Sequence, residues 1–92
     1  MHDSIDPLFV AELGGAPEID VHGYDAHGAI FEVSAFCSRM KALREPAVKI
    51  IHGRGEGILR AALLAWAKRE RYRAVDSSLP HESGAVLYVQ LI

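Results

Sequence analysis

Two strand-like segments of the chain each end in a His-Gly pair, and each is followed by a helical pattern of apolar residues. Residues 18–22 alternate polar and apolar side chains, and residues 47–52 form a run that is richer in apolar residues. Both patterns are typical of β-strands, the second one more central in its sheet. Because a crossover helix joins them, the two strands are expected to be parallel neighbours. The two His-Gly pairs are therefore predicted to lie close together at the carboxyl edge of one sheet.

The two helical patterns have recognisable start and stop signals. Asp25 is a suitable N-cap for a first helix that runs to about residue 43, and Glu45-Pro46 ends it. A second helix is predicted from about residue 57 to residue 71. Apolar residues at three- and four-residue steps predict the buried stripes. They are Ala29, Val33, Phe36 or Cys37, Met40 and Leu43 in the first helix, and Ile58, Leu59, Ala62, Leu63 and Trp66 in the second.

Two further strands are predicted at residues 73–78 and 86–91, connected by residues 80–84. The order β-α-β-α-β-β, with both crossovers stepping in one direction, predicts an α/β two-layer sandwich. It has a mixed four-stranded sheet with two helices on one face, and the order of its strands stays open. Residues 1–17 end in Gly-Gly-Ala-Pro and are predicted to form an N-terminal arm. Its Leu8-Phe9-Val10 run is expected to pack on a domain that spans residues 18–92.

The length of 92 residues leaves room for one domain. No apolar run approaches the roughly 20 residues that span a bilayer, and the acidic N-terminus lacks the features of a secretory signal. The single cysteine, Cys37, cannot form an intrachain disulfide. We therefore expect a cytoplasmic protein with no membrane partner.

Charge is distributed unevenly along the chain. All ten Lys and Arg residues lie between positions 39 and 73, where they face three acidic residues, so this segment carries +7 although the whole chain carries −2. A basic middle segment is compatible with a polyanionic partner. Four of the cations, Lys68, Arg69, Arg71 and Arg73, are equally well explained as complements to the negative end of the second helix.

The glycine-rich turn at residues 53–57 leads directly into the second helix. Glycines leave backbone amides unshielded, and the free N–H groups at a helix N-terminus favour an anion. With His52 beside it, the turn indicates a phosphate site rather than a tight turn alone. The predicted nucleic-acid-binding residues are Gly53, Arg54, Gly55, Gly57, Arg60 and Lys49. A Rossmann site is disfavoured because Ile58 stands where the third glycine is needed. A P-loop is excluded because no Gly-Lys-Ser/Thr sequence follows the turn.

The first strand offers a candidate acid–base pair. Asp20 and His22 are two residues apart, so both project from the face opposite Ile19 and Val21. A carboxylate beside an imidazole can orient the ring and raise its basicity. Asp20, His22 and His52 are the candidate catalytic residues, although alternation also suits a solvent-facing strand. The same three side chains could hold a divalent metal, but their spacing is not diagnostic of one.

The residues that carry these two motifs resemble the small MutS-related (Smr) domain family. Its first signature, Leu-Asp-Leu-His-Gly, corresponds here to residues 19–23. Its second, Ile-Ile-His-Gly-Lys-Gly-x-Gly-x-Leu-Arg, corresponds to residues 50–60, with Arg54 in place of the lysine. The resemblance covers residues 18–92. It implies a βαβαββ fold similar to the C-terminal domain of a bacterial translation initiation factor. Two positions depart from the pattern: Gly28 replaces a common Glu, and the approach to the last strand keeps only Gly84.

The resemblance implies nucleic-acid binding, often with endonuclease or nicking activity on DNA or RNA. Asp20, His22, His52, Gly53 and Gly55 take the functional positions of the two motifs. No cofactor is required by the sequence, and Mg²⁺ or Mn²⁺ are the candidates if one is used. A non-catalytic nucleic-acid- or ribosome-binding module is the alternative function. The domain could equally stand alone or belong to a larger MutS-like chain.

Overall fold

The computed structural model describes residues 5–92, which form a four-stranded sheet, three α-helices and a short 3-10 turn. In chain order these elements are α1 (Pro7–Glu12), β1 (Glu18–Asp20), α2 (Ala26–Ala42), β2 (Ala47–Ile51), α3 (Ile58–Arg69), β3 (Arg73–Asp76), the 3-10 turn (Pro80–Glu82) and β4 (Val86–Gln90). No helix in this part of the chain is long and apolar enough to cross a membrane.

The strands lie in the order β1-β2-β4-β3. β1 and β2 are parallel, as predicted, while β4 pairs antiparallel with both β2 and β3. The predicted α/β fold with a mixed four-stranded sheet is confirmed, and the central position of β2 agrees with its apolar sequence. The two central strands, β2 and β4, therefore carry most of the core.

The main core lies between the sheet and the pair formed by α2 and α3. Val48 and Ile50 of β2 and Leu87 and Val89 of β4 face the two helices and belong to the same buried cluster as Trp66. The alternate residues of the same strands face the other side of the sheet. There they meet the short helix α1 in a second, smaller core, whose members are Leu8, Ala11, Ala47, Ala85, Val86 and Tyr88.

The predicted N-terminal arm contains a helix that the sequence analysis missed. Asp6 caps α1 by accepting a hydrogen bond from the Leu8 N–H, and Pro7 occupies the first turn, where its missing N–H costs nothing. Leu8 packs on the domain as predicted, but Phe9 and Val10 are exposed. Residues 1–4 lie outside the described residues.

Two members of the predicted apolar stripes are wrong. Leu43 is 68% exposed and Ile58 is 63% exposed, because each stands at a helix end beyond the reach of the core. Leu43 is the C-cap of α2, and Ile58 is the first residue of α3. Of the other predicted positions of α2, Ala29, Val33, Phe36 and Cys37 are buried, and Met40 is partly buried against the same core. The predicted strands also extended one or two residues too far into the loops that follow them.

A buried carboxylate joins β2, β4 and the residue that follows β3 to the 3-10 turn. Glu82 is only 6% exposed, and its oxygens accept hydrogen bonds from Ser77 Oγ at 2.7 Å and Tyr88 Oη at 2.9 Å. Lys49 Nζ lies 2.6 Å from the second oxygen. Burial by itself raises the pKa of Glu82, but the hydrogen bonds from Lys49, Ser77 and Tyr88 outweigh it and lower that pKa to about 2. The carboxylate is therefore ionised and fully partnered inside the protein.

We expect Glu82→Gln to lower the free energy of unfolding by about 3 kcal/mol at pH 7. The Lys49 ammonium loses its partner at 2.6 Å and keeps only the exposed carboxylate of Glu18, at 3.8 Å. The pKa of Glu82 falls from its ordinary 4.5 to about 2, so its contribution is complete above pH 4.5 and is lost as the pH drops toward 2. Urea denaturation at several pH values measures both effects. Tyr88→Phe is the control, because it removes one neutral donor and should cost only about 1 kcal/mol. Equal losses in the two variants would contradict this account.

Candidate functional site

The two His-Gly turns meet at the carboxyl ends of β1 and β2. The Val21 N–H donates to the Ile51 carbonyl at 2.8 Å, which keeps the two chains paired just beyond the strands. A β-carbon built on Gly53 would lie 3.0 Å from the β-carbon of His22, and Gly53 has a φ of +84°. Only glycine allows this approach without strain. The predicted neighbourhood of the two turns is present in the structure.

Asp20 holds His22 through two hydrogen bonds. Its Oδ1 atom lies 2.6 Å from His22 Nδ1 and also accepts the His22 backbone N–H at 3.0 Å. The hydrogen bond from the His22 ring lowers the pKa of Asp20, so the carboxylate is ionised at neutral pH. An ionised acceptor assigns the ring proton to Nδ1, which leaves the lone pair of a neutral ring on Nε2. Both side chains are exposed, so this pair can reach a large substrate.

His52 has the opposite environment. It is 5% exposed, and its Nδ1 lies 3.0 Å from the carbonyl oxygen of Gly53. Its Nε2 is buried and has no hydrogen-bond partner within residues 5–92. Burial lowers the pKa of His52, against smaller opposing effects of the Gly53 carbonyl and Asp76. The ring is therefore neutral at pH 7, with an unused acceptor at Nε2.

Next to His52, the glycine turn and the start of α3 form an open cleft of about 170 Å³. Gly57 is the N-cap of α3 in a left-handed conformation, and no side chain of the described chain caps the helix. The first N–H groups of α3 are consequently free for an anion. The cleft is lined by Gly23, His52, Gly53, Gly55, Glu56, Gly57, Ile58, Leu59, Arg60 and Gly84.

Arg54 ties the glycine turn to the loop before β4. Its Nε donates to the Ser83 carbonyl at 3.0 Å, and one Nη donates to the His81 carbonyl at 2.8 Å. Within residues 5–92, no carboxylate forms an ion pair with this guanidinium, and this includes Glu56. Three of its five N–H donors remain available to a ligand.

The two other predicted cations are held by carboxylates. Arg60 lines the cleft but forms two hydrogen bonds with Asp76, at 2.8 and 2.6 Å, and these lower the pKa of Asp76. Lys49 lies away from the cleft, on the opposite face of the sheet from Val48 and Ile50, where it pairs with Glu82. Arg60 therefore lies at the cleft, where Asp76 balances its charge. Lys49 does not lie at the cleft, so its prediction as a nucleic-acid-binding residue of this site is wrong.

A metal site built from Asp20, His22 and His52 is not supported. Within residues 5–92, no three His, Cys, Asp or Glu side chains converge in a way that could hold a metal ion. The Nδ1 atoms of the two histidines have different partners: that of His22 is hydrogen-bonded to the Asp20 carboxylate, and that of His52 to the Gly53 carbonyl.

Comparison with known proteins identifies the family. A model of the Smr domain matches residues 19–91. The chain belongs to the Smr family. The Smr domain of Thermus thermophilus MutS2 is similar in structure, with a TM-score of 0.75 at 28% identity over 82% of this chain and 96% of that one. The SMR domain of NEDD4-binding protein 2 has a TM-score of 0.65 at 20% identity, over 86% and 88% of the two chains, and shows the fold alone. No curated protein matches the chain.

Sequence reasoning missed two acidic residues that shape this Smr site. Asp76 balances Arg60, and Glu82 fixes the turn whose carbonyls hold Arg54. Asp76 was predicted inside a longer strand, and Glu82 in a plain connection. The only available signal was the scarcity of acidic residues after position 73, since just these two occur there.

We expect Gly53→Ala to reduce stability by about 1–3 kcal/mol, because alanine is strained at this φ and crowds His22. Gly55→Ala is a matched control: Gly55 lies two residues further along the same turn, has no positive φ, and a β-carbon there meets nothing within 4 Å. Thermal unfolding compares the two variants. If both changed stability by the same amount, close contact between the His-Gly turns would not be what requires a glycine at position 53.

Proposed function

We propose that this Smr domain binds nucleic acid and cleaves its phosphodiester backbone at the cleft beside His22. One observation carries the proposal. An acid–base pair, Asp20 and His22 at 2.6 Å, lies against Gly53, which lines the same cleft as the uncapped N-terminus of α3, where a phosphate can bind. The Smr family is known for nucleic-acid binding and nicking, which supports the same conclusion.

In this proposal His22 is the general acid–base and Asp20 is its orienting carboxylate. Because Asp20 fixes the proton on Nδ1, the Nε2 atom of His22 is the one that takes the proton of the attacking water or hydroxyl, or gives a proton to the oxygen that leaves phosphorus. The amides of residues 53–57 and the N-terminus of α3 hold the scissile phosphate. His52 lines the same cleft as a neutral ring and is the third candidate catalytic residue.

We expect the purified domain to cleave at least one of three substrates: branched DNA, single-stranded RNA or plasmid DNA. His22→Ala should lower the rate by about a hundred- to ten-thousand-fold, the usual contribution of a general acid–base. Asp20→Ala should lower it as well, because the ring loses its fixed tautomer. Assays with and without Mg²⁺ or Mn²⁺ test the need for a metal. Cleavage that continues at the wild-type rate in both variants would assign the activity to a contaminant.

A non-catalytic binding module is the second candidate. The balance between Arg60 and Asp76 favours it, since it leaves few free cations at the cleft. This function predicts salt-sensitive binding without product, because phosphate contacts release counterions. Gel shifts at two salt concentrations, run beside the cleavage assay, separate the two candidates. Absence of any salt-dependent binding would contradict both.

We expect Arg54→Ala to weaken nucleic-acid binding about equally for all sequences and to reduce the salt dependence by about one charge. Its three unused N–H groups are the donors available to a phosphate at the turn. The two hydrogen bonds to carbonyls that the variant loses lie in an exposed loop, so the loss of stability should stay below about 1 kcal/mol. A melting temperature that falls by several degrees with binding intact would instead give Arg54 a purely structural role.

A further inference from the structure

The cations of this protein concentrate at the end of the molecule opposite the cleft. Six exposed residues form this basic pole: Arg39, Lys41, Arg44, Lys68, Arg69 and Arg71. They occupy the last turns of α2 and α3 and the residues just after them. Both helices begin beside the cleft and run away from it, and the 12 residues of α3 span about 18 Å. The basic pole is thus about 20 Å from His52.

The two helix ends form one surface. Lys41 Nζ lies 5.4 Å from the centre of the Tyr72 ring, so the end of α2 contacts the segment that follows α3. None of the six cations forms an ion pair with any residue between positions 5 and 92. Two acidic residues occur among them in sequence, Glu45 and Glu70, so the pole carries +4. Arg73 is excluded from it because Asp6 binds its guanidinium through two hydrogen bonds.

Two of the arginines stand where the backbone favours glycine. Arg44 and Arg71 each follow a helix end, and each has a φ of +64°. Glycine commonly occupies this left-handed position after a helix, because it has no side chain to strain. Cations near a helix C-terminus do stabilise the helix, which is sufficient to explain Lys68 and Arg69. The same benefit is available from the last turn itself and does not require arginine at either strained position.

We propose that the basic pole is a second phosphate-binding surface, which holds the backbone of a nucleic acid at a point remote from the cleft. The inference rests on the proposed function. Four of its six cations are arginines, whose planar guanidinium matches phosphate geometry better than an ammonium does. The separation of about 20 Å corresponds to roughly six base pairs of duplex at 3.4 Å per step. A duplex longer than this can contact both surfaces.

The test compares two double variants with matched positions. Arg44→Gly/Arg71→Gly removes both charges and relieves the strained backbone, whereas Arg44→Lys/Arg71→Lys keeps the charges. Binding of a 20-base-pair duplex is followed by fluorescence anisotropy over a range of salt concentrations. Melting temperatures are measured for all proteins.

We expect the glycine pair to bind the duplex at least about tenfold more weakly than the wild type near 0.1 M salt. The slope of log K against log salt should become less steep by about 2. Its melting temperature should be unchanged or higher. The lysine pair should retain the wild-type slope. A merely structural role for the arginines predicts no such split between stability and binding.

Three outcomes overturn the inference: a glycine pair with the wild-type salt slope, a glycine pair that melts several degrees lower, or a wild type that prefers phosphatidylserine vesicles through these arginines. Arg54→Ala, measured in parallel, keeps this result apart from the proposed function. If Arg54→Ala weakens binding and the glycine pair does not, the cleft stands and the basic pole fails. If the glycine pair weakens binding and Arg54→Ala does not, the basic pole stands and the phosphate site at the cleft fails. A wild type that binds no nucleic acid contradicts the proposed function itself.

Discussion

The ionised carboxylate of Glu82 is the constraint on which the geometry of the cleft depends. It sits inside the protein and gathers hydrogen bonds from β2, β4 and the end of β3. These bonds fix the 3-10 turn, and the turn presents two carbonyls to Arg54. A buried charge without these partners would cost several kcal/mol, so the turn has little freedom to move. The cleft is consequently shaped from a network on the other side of the sheet.

Backbone hydrogen bonds carry the same constraint to the histidines. The N–H groups of His52 and Gly53 both donate to the Ala85 carbonyl, at 2.9 and 3.1 Å. Ala85 follows the turn that Glu82 holds, so His52 and the glycine turn are fixed relative to β4. The single glycine that remains before the last strand, Gly84, lines the cleft with a φ of +74°. Although the segment before this strand has fewer glycines than the family pattern, it keeps a glycine at the position that lines the cleft with a positive φ.

The sequence was sufficient to predict the fold because its signals are local. Alternation in β1, the Asp25 cap and Glu45-Pro46 each act within a few residues, and both elements are present, with β1 two residues shorter than predicted. The meeting of the two His-Gly turns also followed, since parallel neighbouring strands end at one edge. Long-range pairings were out of reach. Nothing in the spacing of Arg60 and Asp76, or of Lys49 and Glu82, distinguishes a cation held by a carboxylate from one free to bind phosphate.

These pairings change what the charge pattern means. The basic middle of the sequence indicated a polyanion, but folding distributes its cations between two ends of the molecule. At the cleft, Asp76 balances the charge of Arg60, whereas no carboxylate within residues 5–92 balances Arg54. An excess of positive charge there would hold phosphate tightly whatever its state, whereas neutral donors such as backbone amides respond to charge that develops during reaction. In the proposed function, long-range attraction is better supplied from the far end of α2 and α3, where it would attract the polymer without over-stabilising the bound phosphate.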